Sequence, residues 1–244
     1  MVKNKSYIGI SFIILVFGII FVPRIVDRIS NKSVTDTDRL NVPGQVETSK
    51  DLLQSIGSVP KFSLTNHNGQ IISNEALLGD VYVVEFFFST CPTICPVMNQ
   101  NMLLLQNHFK DETSFSIVSV TINPEYDTAE VLKNHAEHLG VTSPKWHFLT
   151  GDKAYIYDIA NKGFNLYAAE NKSIDGGFEH SGFFALIDKK GFIRSRKDNY
   201  GNPIVYYSGL NYLDKEGLEE DFSGPYKPGI EALKQDIKVL LEEK

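Results

Sequence analysis

Val81-Tyr82-Val83-Val84-Glu85-Phe86-Phe87-Phe88-Ser89-Thr90-Cys91-Pro92-Thr93-Ile94-Cys95-Pro96 carries a β-branched and aromatic run straight into a pair of cysteines. The run from Val81 to Phe88 holds one charge, which suits a central strand covered on both faces. Beyond it, Ile94, Val97, Met98, Met102, Leu105 and Phe109 recur at helical spacing. The stretch therefore reads as a buried strand, a short cysteine-bearing connection and a helix.

That connection is where chemistry is expected. Free backbone N–H groups and the dipole of a helix N-terminus stabilise a thiolate and lower its pKa. Cys91 and Cys95 are four apart, so a helical first turn would put both sulfurs on one face. Two converging soft thiolates suit Cu(I) or Zn, or close a disulfide. A purely structural disulfide is the poorer reading, because so short a loop removes only about 2 kcal/mol of unfolded-state entropy. Dithiol oxidoreductases use Cys-x-x-Cys, whereas three residues intervene here, leaving room for a metal between the sulfurs.

Working outward, Phe62–Thr65 and Gln70–Ser73 flank Asn66-His67-Asn68-Gly69 and predict a hairpin. Phe115–Ile122 predicts a second buried strand, and Asp127-Thr128-Ala129-Glu130 opens a helix that stops at Gly140. Trp146–Leu149 reads as a strand and Asp152–Asn161 as a helix. Phe183–Asp188 and Phe192–Arg194 form a hairpin about Lys189-Lys190-Gly191, and an amphipathic helix covers about 228–242. This order predicts an α/β fold, a central mixed sheet flanked by helices.

The chain has 244 residues, 42% hydrophobic and 22% charged, enough for one main core. Its net charge of −6 is uneven: residues 1–32 sum to +4, leaving −10 for residues 33–244. A globule that acidic does not suit a phosphate backbone, so nucleic-acid binding is excluded. Ser6 to Pro23 is free of charge and, as a helix, spans roughly 27 Å, close to a bilayer core. Residues 1–23 are thus expected to be an N-terminal transmembrane helix held in the lipid bilayer through residues 6–23. A cleaved signal peptide fits less well, since Pro23-Arg24-Ile25-Val26 makes a poor cleavage site. Flanking charge leaves the orientation open. Residues 24–57 lack apolar periodicity and read as a flexible linker with a reach of roughly 30 Å. Residues 58–200 are then the folded domain, and 201–244 a C-terminal extension ending in the last helix, with 201–226 as an inserted loop.

Cys91-Pro92-x-x-Cys95-Pro96 after a buried strand, Pro124-Glu125-x-Asp127-Thr128 after the next one, and His180 in Glu179-His180-Ser181 before the later hairpin together resemble the Sco/SenC copper-chaperone family, over roughly residues 58–197. The resemblance implies a thioredoxin-like fold, and one copper ion, Cu(I) or Cu(II), on Cys91, Cys95 and His180. It implies delivery of copper to, or preparation of, the binuclear copper site of cytochrome c oxidase subunit II, with an external thiol reductant keeping the cysteines reduced. His180 stands where thioredoxin-like folds usually place a cis-proline against the active-site cysteines. Two positions depart from the family: Glu179 where Asp is common, and Asn123 before Pro124 where Asp is common. Neither is an implied ligand. Family members hold the domain outside the cytoplasm, and no Arg-rich presequence is present. The expected location is therefore a bacterial cytoplasmic membrane, single-pass, with the domain in the periplasm.

The competing readings are a thiol–disulfide oxidoreductase using Cys91 and Cys95 without metal, a peroxide-reducing enzyme with Cys91 as nucleophile, and a redox or copper sensor. The remaining histidines have simpler expectations. His67 lies in a polar turn, His108 near a helix end, His147 beside Trp146, and His135 with His138 on a solvated helix face.

Overall fold

In a computed structural model of the chain, the described residues are 11, 15–23, 53–197, 202–210, 220–221, 224–225 and 229–243. Residues 1–45 and 46–244 form two separate units. In the first, residues 15–23 are helical. No helix among the described residues is long and apolar enough to cross a membrane, and much of the 6–23 run lies outside them.

The second unit is a mixed sheet with helices packed on it. Its strands are β1 (Leu53–Ser58), β2 (Ser63–Asn66), β3 (Ile71–Ser73), β4 (Val81–Phe87), β5 (Phe115–Thr121), β6 (Trp146–Thr150), β9 (Phe183–Ile187), β10 (Phe192–Arg196) and β11 (Tyr207–Ser208). Their order is β1-β10-β9-β4-β5-β6-β2-β3, with β11 added against β9. β4 runs parallel to β5, and β5 to β6, while β9 enters antiparallel to β4. All seven residues of β4 and all seven of β5 are buried, so both faces of the sheet are covered there. The helices are α1 (Cys95–His108), α2 (Ala129–Leu139), α3 (Lys153–Asp158) and α4 (Gly229–Glu242). α1 buries Met98, Met102 and Leu105 in the core, and α4 buries Ile230, Leu233, Ile237 and Leu240.

The hairpin at 62–73 is present, its Gly69 taking the left-handed turn conformation at φ 77°. α2 begins where Thr128 Oγ1 accepts from Val131 N, and it ends at Gly140 with φ 79°.

Three expectations change. The sheet begins at Leu53, inside the stretch read as linker, because β1 pairs with β10 and Arg194 Nη2 donates to the Leu53 carbonyl at 3.1 Å. Isolated from its partner, Leu53–Ser58 has too little apolar periodicity to announce itself. Tyr207 lies in the stretch read as an inserted loop, yet it is buried, pairs with Phe184 and donates its hydroxyl to Asp236 at 2.7 Å. The helix expected at 152–161 is α-helical only to Asp158 and continues as a π-turn at Ile159–Gly163. The rest of the 24–57 linker, and most of 211–228, lie outside the described residues.

A second small sheet, β7 (Ala168–Glu170) with β8 (Phe178–His180), stands apart from the main one. It carries the histidine.

Candidate metal centre

β4 ends at Phe87, and the chain turns through Ser89 and Thr90 to Cys91, whose N–H donates to the Phe88 carbonyl at 3.2 Å. The turn is pinned from a distance. Asp127 is fully buried and accepts from Ser89 N at 3.1 Å, from the Ser89 hydroxyl, and from Thr121 Oγ1 at 2.5 Å. Asp127 was legible as a helix opener, but its hold on the cysteine loop needs the parallel pairing of β4 and β5 and is invisible in a linear reading.

Cys91 lies in the turn itself, and α1 starts only at Cys95, with a proline in its first turn. The two sulfurs therefore do not share a helical face. They converge because the turn wraps back over the helix N-terminus. Cys91 is pulled below the ordinary thiol range, to about 3, chiefly by a hydrogen bond from Cys95, with backbone N–H groups adding to it. Cys95 is pushed in the opposite direction by that same hydrogen bond and by burial.

His180 arrives on β8, where its register partner is Ala168. Ala168 is fixed in turn by Asn161 of the π-turn, which accepts from Ala168 N at 3.0 Å and donates to the Ala168 carbonyl at 2.9 Å. A π-turn admits an extra residue per turn and redirects a side chain, here an amide that clamps the strand opposite the histidine. Asn161 gave no sequence signal beyond its place near a helix end. His180 Nδ1–H donates to the Ser181 carbonyl at 3.2 Å, which leaves the Nε2 lone pair facing Cys95 Sγ at 3.1 Å.

Cys91, Cys95 and His180 thus offer three donor atoms all within 4.8 Å of one another, from segments 85 residues apart in sequence. Both cysteines are free thiols and buried, and the histidine is half-buried. Two soft sulfurs and one imidazole fit a soft or borderline metal ion, and an imidazole oriented through its second nitrogen is the usual support for such a ligand.

The other histidines stay apart from this cluster. His67 Nδ1 accepts from Phe148 N at 3.3 Å, and burial lowers its pKa. His135 is not on a solvated face: its ring stacks on Phe87 at 5.6 Å and meets Phe148 edge-on at 5.8 Å, and burial lowers its pKa too. His138 does face solvent, with Nδ1–H on the Asn134 carbonyl. His108 packs edge-on against Phe109, and His147 is half-buried in β6.

A sheet whose central strand ends in a cysteine turn, with a histidine brought over it by a late hairpin, defines a thioredoxin-like protein with a dithiol–imidazole site. A family model described as SCO1/SenC matches residues 51–212, and the chain belongs to that family. It is 33% identical over 159 residues to a SCO2-like protein of Rickettsia typhi, covering 64% of this chain and 75% of that one. Among solved structures it is similar to BsSco, described as a member of the Sco family of cytochrome c oxidase assembly proteins with a disulfide switch. The TM-score there is 0.60 at 26% identity, over 78% of this chain and 98% of that one. It shares its fold with copper-bound ScoI of Bradyrhizobium japonicum, at a TM-score of 0.53 and 21% identity over 75% and 99% of the two chains.

Proposed function

We propose that this chain is a membrane-anchored copper chaperone that takes one copper ion as cargo on Cys91, Cys95 and His180. It delivers that ion to, or prepares the thiols of, the binuclear copper site of cytochrome c oxidase subunit II. The observation that carries the reading is the convergence of two sulfurs and one correctly oriented imidazole within 4.8 Å. A dithiol reductant has no use for the third donor. Copper leaves by stepwise ligand exchange, a partner sulfur replacing one donor at a time, and the external reductant keeps Cys91 and Cys95 as thiols between rounds.

The test is an anaerobic Cu(I) titration of the reduced chain against a competing chelator. One tight equivalent is expected, weakened by His180→Ala and abolished by Cys91→Ser with Cys95→Ser. Binding indifferent to His180, or a preference for zinc, would overturn the copper site.

The thiol–disulfide oxidoreductase reading is favoured by the setting of Cys91, in a turn beside the N-terminus of α1 with Cys95 hydrogen-bonded to it, which lowers its pKa toward the thiolate that an attacking sulfur requires. Disulfide reduction that survives His180→Ala at full rate in a chain without tight copper binding would establish it. Residues 6–23 serve as the membrane anchor in this proposal, with the domain in the periplasm of a bacterium. A reporter fused after Lys244 that is active only in the cytoplasm would reverse that topology.

A further inference from the structure

The β7–β8 hairpin lays three residues, two apart in sequence, against one aromatic ring. Phe178 meets Phe88 with ring centroids 5.3 Å apart, and His180 meets the same ring edge-on at 5.9 Å. Gly176 completes the row. A Cβ there would lie 3.0 Å from Phe88 Cζ, 3.1 Å from Phe88 Cε2 and 3.1 Å from Pro92 Cδ. Phe88 and Pro92 are the residues three before and one after Cys91. A Cβ there requires these neighbours to shift by a few tenths of an ångström: Phe88 is buried in the core, and the exposed Pro92 ring moves only with the backbone of the cysteine turn.

The next residue supplies its own control. Gly176 and Gly177 both have positive φ, 87° and 79°, but a Cβ on Gly177 meets nothing within 4 Å. Left-handed backbone alone accounts for Gly177. It does not account for the close approach at Gly176.

We propose that Gly176 is a positioning residue: the hairpin seats on Phe88 and Pro92 through its bare backbone, and that seat sets how near His180 comes to Cys91 and Cys95. The consequence for copper rests on the function proposed above, whereas the geometry does not.

The experiment compares the full chain with Gly176→Ala, Gly177→Ala and Gly176→Ala/Pro92→Ala, all reduced, in detergent micelles. In the metal-free proteins, NMR reads the contact between the His180 ring and the Cys95 β-protons, together with the ring-current shift of Phe88 on His180. Gly176→Ala should lose the contact and change the shift, Gly177→Ala should keep both, and removing the Pro92 ring should restore part of the loss. Cu(I) affinity should fall about tenfold in Gly176→Ala and by no more than about threefold in Gly177→Ala. Equal effects in the two alanine variants, or none in Gly176→Ala, would overturn the proposal. If the unaltered chain takes no copper, the chaperone reading fails and the metal-free comparison decides the hairpin seat alone. Should Gly176→Ala not fold, Pro92→Ala by itself must move the His180 resonances, and unmoved resonances would overturn the seat.

Discussion

Glu85 sits within β4, fully buried, with Oε1 accepting from Ser119 Oγ at 2.6 Å and Oε2 without a hydrogen-bond partner. Trp146 Nε1–H donates to the same Ser119 oxygen at 3.0 Å, so the hydroxyl is oriented toward the carboxyl. Desolvation raises the Glu85 pKa from 4.5 to about 7, against the smaller opposing pull of the Ser119 hydrogen bond. A carboxyl raised on folding contributes its full stability below its unfolded pKa and loses it as pH climbs through the folded value. Stability should therefore fall between about pH 4.5 and somewhat above pH 7, by about 3 kcal/mol from this group. Urea titrations of the chain and of Glu85→Gln at pH 5 and pH 9 check this. The variant should gain on the parent by about that amount at the higher pH, and an unchanged gap would refute the assignment. The residue was plain in the sequence as the one charge in an apolar run. Its isolation was not, because only the register of β4 on β5 shows which hydroxyl reaches it. The cysteine pair was legible for the opposite reason, since its spacing and flanking prolines are local, whereas His180 entered only through the family resemblance and its place before the later hairpin. Asp127, Asn161 and Gly176 hold those donors in place through contacts between distant segments, and no local pattern marks them.

At the scale of elements, α4 is tied to the far edge of the sheet by charge as well as by packing. Asp236 is buried and takes both a paired contact from Arg196, at 2.9 and 2.7 Å, and the Tyr207 hydroxyl. Arg194 bridges Asp188 and Glu243 at the end of the same helix. Removing Asp236 leaves a guanidinium and a phenol facing a hole. Asp236→Ala should therefore cost about 3 kcal/mol in urea unfolding, and Asp236→Asn less, since the amide keeps an acceptor. A loss under about 1 kcal/mol would mean water replaces the carboxylate fully. The amphipathic period of α4 was readable, as were the strands flanking the cysteine turn, because burial on one face repeats locally. β1 and β11 escaped because edge strands of two to six residues draw their order from a neighbour's hydrogen bonds.

For the whole molecule, the second unit spans residues 46–244, and its sheet begins at Leu53. A chain starting at residue 46 should melt at the temperature of the full chain. One starting at residue 59 discards β1, its five paired residues with β10 and the Arg194 contact to Leu53, and should melt roughly 5–10 °C lower. Equal melting of the two truncations would show that β1 adds nothing to the fold. The acidic balance of residues 33–244 favours partners that present a basic face. The sheet that carries the cysteine turn and the sheet that carries His180 are separate ladders, one nine-stranded and the other only two. Their hydrogen bonds can therefore break independently. Opening three paired residues of the smaller ladder withdraws the imidazole while every rung of the larger one stays closed. Amide protons of residues 168–170 and 178–180 should therefore exchange faster than those of β4 and β5, and equal protection of the two ladders in NMR-detected hydrogen exchange would refute this.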